Sequence, residues 1–382
     1  MREKAERFSV NDMLKQRAYR VRPLDFESSY LLGIYVLSPY SKAPRKLFRG
    51  NRRLAEIQST AALCAFHNAG IYGSEASAEQ IAGICAAVFD YDIAASESGF
   101  LAPDVEYAVD NCGMGGDLYR TPNVSTLAAL IAAADGITVC KHGSPGNTDS
   151  TGSSDFLLHL GLDLFAPKEC VEKSAGQLCF GYTDALDTRY KTIHVQTHKT
   201  AKLAHMNDII GPITNPLDPK LMKRRILGVN HLMEPKRVAE AYRILNERGI
   251  TNLQHGLFVR GFVDEGGNGG IDEASVFGGT SVAELEYGSI KTYELRAEDF
   301  GIKTQPYEEP PEEKAEFSRQ ILEGKVKGAP RDLVIANAAL LEYLAKGIDI
   351  REGFSRSMEI LESGKAREKA EEIVEFSGRG GK

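Results

Sequence analysis

The stretch Asn111-Cys112-Gly113-Met114-Gly115-Gly116-Asp117 decides the fold, together with Asn123-Val124-Ser125-Thr126, Lys141-His142-Gly143 and Gly152-Ser153-Ser154-Asp155 behind it. The apolar run Val105 to Val109 reads as a buried strand feeding a turn whose glycines let backbone N–H groups approach an anion closely. Asp117 is then placed to meet a sugar hydroxyl. Beyond the turn, Asn123 or Ser125 caps a helix through Leu127, Leu130 and Ile131, which points a second set of free N–H groups at the same anion. Two anion sites on neighbouring turns suggest a diphosphate, and the constellation reads as a cradle for a phosphorylated sugar.

Outward from this stretch, strand-like runs alternate with helical ones: Val105 to Asp110, Ile137 to Cys140, Arg225 to Val229 and Leu253 to Val259, separated by amphipathic segments such as Pro235 to Glu247. Such alternation predicts an α/β fold with a mostly parallel central sheet and helices on its faces. Residues 1 to about 104 instead repeat apolar positions at helical spacing: Leu54, Ile57, Ala61, Leu63 and Cys64, then Ile81, Ile84 and Val88 beyond a turn at Gly70 to Ser74. They predict a small, all-helical N-terminal domain. The segment Thr197 to Met206, followed by Gly211-Pro212-Ile213-Thr214-Asn215-Pro216, interrupts the alternation and reads as a helical excursion returning to that first domain. The expected division is 1–104 with an excursion at about 190–222, against 105–189 with 223–382 for the α/β domain. Helices at Leu333 to Ala345, Gly353 to Ser363 and Ala366 to Phe376 close the chain as packing elements, and Gly266 to Gly270 reads as a hairpin or loop.

At 382 residues the chain exceeds the size at which single cores stop growing, so two domains are expected. A formal net charge of −7 gives no overall attraction to nucleic acid or an anionic membrane, so phosphate binding must be local and geometric. The basic stretch Arg45 to Arg53 is the exception and reads as a solvated helix end or loop. The six cysteines show no Cys-x-x-Cys spacing and mostly sit in apolar runs, so they read as free thiols of a reducing cytosol. With no signal-peptide core and no bilayer-length apolar run, a cytoplasmic enzyme is expected.

The four motifs quoted at the outset and Gly211 to Pro216 occur in the order seen in the anthranilate phosphoribosyltransferase family, which the chain resembles over most of its length. His255-Gly256, Asp272-Glu273, Asn337-Ala338-Ala339, Glu352-Gly353 and Ser363-Gly364-Lys365-Ala366 add to the likeness. Several motifs in fixed order carry weight that none has alone. The resemblance implies a helical domain hinged to a larger α/β domain with a cleft between them, and a homodimer formed through the helical domains. It implies transfer of the 5-phosphoribosyl group from 5-phosphoribosyl diphosphate to an amine, with release of pyrophosphate, as in tryptophan biosynthesis. Magnesium is the implied cofactor.

Carried across by position, the resemblance gives Gly113, Gly115, Gly116 and Asp117 to the diphosphate and ribose, and Asn123, Ser125 and Thr126 to the phosphates. Gly143 and Ser153 lie along the same phosphates, and Lys141 neutralises pyrophosphate. Ser125 and the pair Asp272-Glu273 are the implied metal ligands, through hard oxygens suited to magnesium. Asp264-Glu265, eight residues earlier, competes on local composition alone, and the family context favours the later pair. Lys141 and His142 are the candidate catalytic residues; His142 either orients the acceptor or serves as a structural imidazole.

The acceptor side departs from the family. Ser144 and Pro145 stand where an asparagine and an arginine follow Lys-His-Gly, and Ala204 stands where an arginine pairs with the anthranilate carboxylate. A methyl group cannot replace a planar fork of donors. Leu186, Asp187 and Thr188 stand near the place of a paired-histidine stretch, while Lys199, Lys202 and His205 offer substitute cations. Ser144, Ala204 and His205 are therefore the candidate acceptor-side positions, and a different amine or nitrogen heterocycle stays open. A nucleoside phosphorylase of related fold would want a lysine in Thr148 to Thr151, which has none; a non-catalytic nucleic-acid-binding relative would want a broad basic face, which only Lys42 to Arg53 approaches.

Overall fold

The computed structural model describes residues 8–13, 24–41, 51–66, 76–117, 119–146, 151–194, 205–231, 233–267 and 270–380. The turn at Gly70 to Ser74, Lys199, Lys202 and Ala204 lie outside them, as do 42–50 and 148–150. Contacts divide the chain into two units, one of residues 1–100, 185–216 and 240–251, the other of 101–184, 217–239 and 252–382.

The larger unit holds the strands. They are β1 Ala108–Gly113, β2 Val139–Gly143, β3 Phe180–Asp184, β4 Met222–Gly228, β5 His255–Phe262, β6 Gly270–Ile271, β7 Thr280–Glu286 and β8 Ser289–Leu295. They form one eight-stranded sheet in the order β3-β2-β1-β4-β5-β7-β8, with β6 paired to β5. From β3 to β5 the neighbours are parallel; β6, β7 and β8 join antiparallel. The sheet is thus mostly parallel, as the alternating pattern requires.

The apolar run before the first glycine turn is shifted relative to the sequence reading: the strand starts at Ala108, not Val105, and continues into Gly113. The cause is its ladder with β4, which runs unbroken from Val109 opposite Arg224 to Gly113 opposite Gly228. Two glycines face each other at the strand ends, which matters for the site. The chain builds outward from β1 to β2 and β3, then returns to the other side of β1 for β4. That reversal makes β1/β4 a switch point, where the crevice beyond the strands' carboxyl ends receives ligands in open α/β sheets.

Helix Val124–Ala134 lies at the centre of this unit. Leu127, Ala128, Leu130, Ile131 and Ala132 are buried around its whole circumference, because helices Ala329–Lys346, Ile350–Glu362 and Lys365–Gly378 pack on it as well as the strands. Each large aliphatic side chain there contributes about 1.5–3 kcal/mol of burial, and a charge at Ile131 would open the core. A helix Lys314–Leu322, absent from the sequence reading, packs against Val124–Ala134 and against Ser153–Leu160.

In the smaller unit the described elements are helical. Asp25 caps Phe26–Leu37 by accepting the Ser28 N–H at 2.8 Å, and Ala78–Val88 packs along that helix. The buried Asp92 carboxylate accepts from the Thr192 hydroxyl at 2.6 Å and the Ile193 N–H at 2.9 Å, tying the 185–216 segment to this unit. No helix among the described residues is long and apolar enough to cross a membrane.

Candidate functional site

The acidic pair Asp272-Glu273 lies across the ends of three strands. A Cβ at Gly113, at the end of β1, would overlap the Asp272 carboxylate; one at Gly228, at the end of β4, would overlap the Asp272 carbonyl; one at Gly261, in β5, would overlap the Glu273 carbonyl. Only hydrogen at those three positions lets the segment lie so close. Gly115 and Gly116 follow at φ 72° and 76°, the left-handed region open to glycine, and bring the turn over the same segment. The Gly115 N–H donates to Asp272 Oδ2 at 2.6 Å, the Asp272 N–H donates to Asp117 Oδ2 at 3.1 Å, and the Asn230 amide holds the Gly115 carbonyl at 3.2 Å.

The helix Val124–Ala134 meets this turn through Ser125. Its backbone lies beside the Glu273 carboxyl, its hydroxyl accepts from Lys141 Nζ at 3.0 Å, and its carbonyl accepts from the Asn111 amide at 2.7 Å. Lys141 Nζ also donates to the Asn111 carbonyl at 2.6 Å. The Gly113 turn, the helix start, the β2 lysine and the acidic pair are therefore one connected structure. The Gly115 N–H, expected free for an anion, is held instead by Asp272. A second correction concerns the cap: Asn123 stands at the N-cap position but makes no side-chain cap bond. Its amide reaches the carbonyls of Thr151 at 3.3 Å and Gly152 at 3.1 Å, and its backbone N–H and Oδ1 pair with the Ser318 hydroxyl.

The electrostatics follow from burial. Burial, then the neighbouring Asp272 charge, hold both Asp117 and Glu273 well above the usual carboxylate range. Burial pushes Lys141 down against the pull of Cys112, Asp110 and the acidic pair; it pushes Lys314 down against Asp272, Glu273 and Asp117. Asp117 Oδ1, Asn111 Oδ1 and Thr126 Oγ1 are buried with no hydrogen-bond partner among the described residues. Orphaned oxygens beside raised carboxylates are hard donors of the kind that magnesium takes, although Asp117, Asp272 and Glu273 do not bring one oxygen each within 4.8 Å of one another.

Behind Lys141, Gly143 abuts Ser153 and the Tyr182 hydroxyl, and Asp155 accepts the N–H groups of Gly146 and Gly152, each at 2.8 Å. That pins Ser153 at the first turn of helix Ser153–Leu160. The Ser144 carbonyl accepts the Ser154 N–H at 3.2 Å. His142 lies beside the buried Asp110 and Cys112, with one ligand atom of each within 4.8 Å of the others, the one such group of three among the described residues. Asp110 is already paired there with the fully buried Arg225 at 2.6 Å, its register partner on β4. His142 and Lys141 thus serve opposite faces of the sheet, as adjacent strand residues do.

Asp264-Glu265 sits on an exposed turn after β5. His255 opens β5, at the end of the strand away from the glycine turns, and its Nε2 lies 2.6 Å from Glu284 Oε1; Arg260-Gly261 stands at the near end. His205 belongs to the smaller unit, where its Nδ1 is 3.1 Å from Asp208 Oδ1. Asn230, Lys314 and Ser318 were not foreseen. Asn230 had a signal, since it follows the strand at the switch point; Lys314, in a run of glutamates, had none.

The a/b domain of the glycosyl transferase family matches residues 106–367. An anthranilate phosphoribosyltransferase from Nitrosospira multiformis is 36% identical over 278 residues, covering 71% of this chain and 76% of that protein. One from Actinobacillus pleuropneumoniae is 33% identical over 304 residues, covering 78% and 84%. Among solved structures, the anthranilate phosphoribosyltransferase from Thermus thermophilus matches with a TM-score of 0.74 at 27% identity, over 96% of this chain and 99% of that one. The enzyme from Saccharomyces cerevisiae in complex with PRPP and Mg shares the fold, with a TM-score of 0.76 at 23% identity over 97% and 98%.

Proposed function

We propose that this chain, which belongs to the anthranilate phosphoribosyltransferase family, moves the 5-phosphoribosyl group of 5-phosphoribosyl diphosphate to an amine and releases pyrophosphate. One observation carries the reading: Ser125, with the Glu273 carboxyl beside its backbone, joins Lys141 and Asn111 at the start of a helix whose N-terminus faces the Gly113 turn. Such a junction of backbone N–H groups, a buried ammonium and hard oxygens is what a diphosphate and its cation require.

Asp272, Glu273 and the Ser125 hydroxyl would hold magnesium, with Asp117 and its orphaned Oδ1 at the edge of the set toward the ribose hydroxyls. The metal, when bound, supplies Lewis-acid stabilisation of the leaving group. The residues of the chain do the rest. Gly113, Gly115 and Gly116 bring backbone N–H groups to the diphosphate; Asn123 and Thr126, with Gly143 and Ser153 behind, line the phosphates. Lys141, pinned by Asn111 and Ser125, keeps a positive charge beside the pyrophosphate as the bond to the anomeric carbon breaks and its electron pair leaves with the oxygen. The amine lone pair forms the new bond to that carbon, so no protein nucleophile is needed and positioning supplies much of the acceleration. His142 lies beneath this floor beside Asp110 and Cys112.

The acceptor is assigned to the side of Ser144, with anthranilate foremost. Loss of anthranilate fluorescence on mixing with donor and enzyme tests this, in a chain without tryptophan to interfere; donor binding without that loss selects another amine. For the donor, titration with 5-phosphoribosyl diphosphate and magnesium should raise the melting temperature, since a ligand of the folded state stabilises it by about 2.7 kcal/mol at a hundred times its Kd. No rise removes the assignment. A homodimer through the helical unit is supported by Leu54 and Ile57, which stand 53% and 59% exposed one turn apart on helix Arg52–Ala65. Sedimentation at the monomer mass would remove that part of the reading.

A further inference from the structure

The segment before helix Lys314–Leu322 is stitched along the donor turn. The Tyr307 hydroxyl donates to the Arg120 carbonyl at 2.9 Å, the Arg120 guanidinium donates to the Pro311 carbonyl at 2.8 Å and lies 3.6 Å from Glu309, and Tyr119 meets the edge of the Tyr307 ring. One helical turn beyond Lys314, the Ser318 hydroxyl pairs with Asn123 through both its N–H and its Oδ1. Residues 307–318 therefore run beside 119–123, anchored at both ends, and Lys314 is held between the anchors. Its ammonium feels Asp272, Glu273 and Asp117, yet among the described residues it forms no hydrogen bond or ion pair. A lysine held between these anchors, feeling three carboxylates and bonded to none of them among the described residues, leaves its ammonium available to a ligand.

Resting on the donor reading above, we infer that Lys314 is a second ammonium of the diphosphate site, a resident counter-charge to Asp117, Asp272 and Glu273 that turns to the diphosphate oxygens when donor and divalent cation enter. Two effects of opposite sign follow. While the donor is absent, Lys314 opposes a cation at the carboxylates; once it is present, Lys314 adds a charged hydrogen bond to it.

The test uses the full chain with Lys314→Gln and Lys314→Arg beside the unaltered protein. Manganese alone, followed by its paramagnetic resonance, should bind Lys314→Gln about 3- to 10-fold more tightly. 5-Phosphoribosyl diphosphate with magnesium, followed by calorimetry, should bind that variant about 10- to 100-fold more weakly, with Lys314→Arg restoring most of the loss. If both affinities fall together, or neither moves, Lys314 is structural and the inference is overturned. If the unaltered protein itself fails to bind the donor, the donor reading has failed first, and the manganese arm still reports whether Lys314 opposes cations at the acidic pair. Melting curves of each variant separate these outcomes from loss of the fold.

Discussion

The two ends of the sheet handle buried charge in opposite ways. At the amino end of β5, the Glu284 carboxylate accepts from the Tyr343 hydroxyl at 2.8 Å and lies 2.6 Å from His255 Nε2, and the His255 bond above all holds its pKa below the usual range. At the carboxyl ends of β1, β4 and β5, Asp117 and Glu273 are held above that range, and Asp117 keeps an unpartnered oxygen. The first cluster is satisfied by the chain itself; the second, on the proposed function, would be completed by a bound cation and diphosphate. The fold thus shifts carboxylates in opposite directions at the two ends: the bonds from His255 and Tyr343 hold Glu284 down, while burial and the Asp272 charge hold Asp117 and Glu273 up.

The contrast breaks most visibly at the acidic pair. Asp272→Asn with Glu273→Gln should lower kcat/KM by about 10²–10³-fold and abolish the donor-induced rise in melting temperature at low magnesium, whereas Asp264→Asn with Glu265→Gln should do neither. The reverse pattern would move the cation to the exposed turn. Next in size is Gly228→Ala, whose new Cβ meets the Asp272 carbonyl. Overpacking there should cost about 3 kcal/mol in urea unfolding, and an unchanged midpoint would mean that the segment does not lie on the strand end.

At the satisfied end, Glu284→Gln should cost about 2 kcal/mol of stability at neutral pH while leaving donor affinity untouched. Because the folded pKa of Glu284 is depressed, its contribution is present above the unfolded carboxylate value and is lost as pH falls through the folded one. The difference from the unaltered protein should close in acid. The smallest effect carries the opposite sign. Glu273 is raised in the folded state, so stability from its proton is full below the unfolded carboxylate value and is lost as pH rises through the folded one. Glu273→Gln, neutral throughout, should stabilise the ligand-free protein by on the order of 1 kcal/mol at pH 7, with the gain fading toward about pH 4. A loss of stability at pH 7 would place Glu273 with Glu284 and erase the contrast.

Much of this was legible in the residues. Pro235–Glu247 has the bounds its amphipathic spacing gave, and Ala329–Lys346, Ile350–Glu362 and Lys365–Gly378 extend their expected helices by a few residues at one or both ends. The glycines at Gly113, Gly115 and Gly116 marked the turn because no other residue makes that approach. Three things were hidden. The ladder to Gly228 set the start of β1, and a pairing register is a property of two segments that one run cannot show. The hairpin of β7 and β8 turns at Tyr287-Gly288 with φ 44° and 85°, without the Asn-Gly signature that announces such turns. Lys314 reads as one more charge in an acidic run, and only the docking of Ser318 on Asn123 brings its helix to the start of helix Val124–Ala134.

Because the Gly115 N–H already holds a carboxylate, that amide faces no void. On the proposed function, arrival of a diphosphate would be an exchange of one acceptor for another, with the loop keeping its shape through the swap. The Asp272 side chain would then act as a place-holder that rehearses the ligand's geometry, so that the order binding needs exists before the ligand comes.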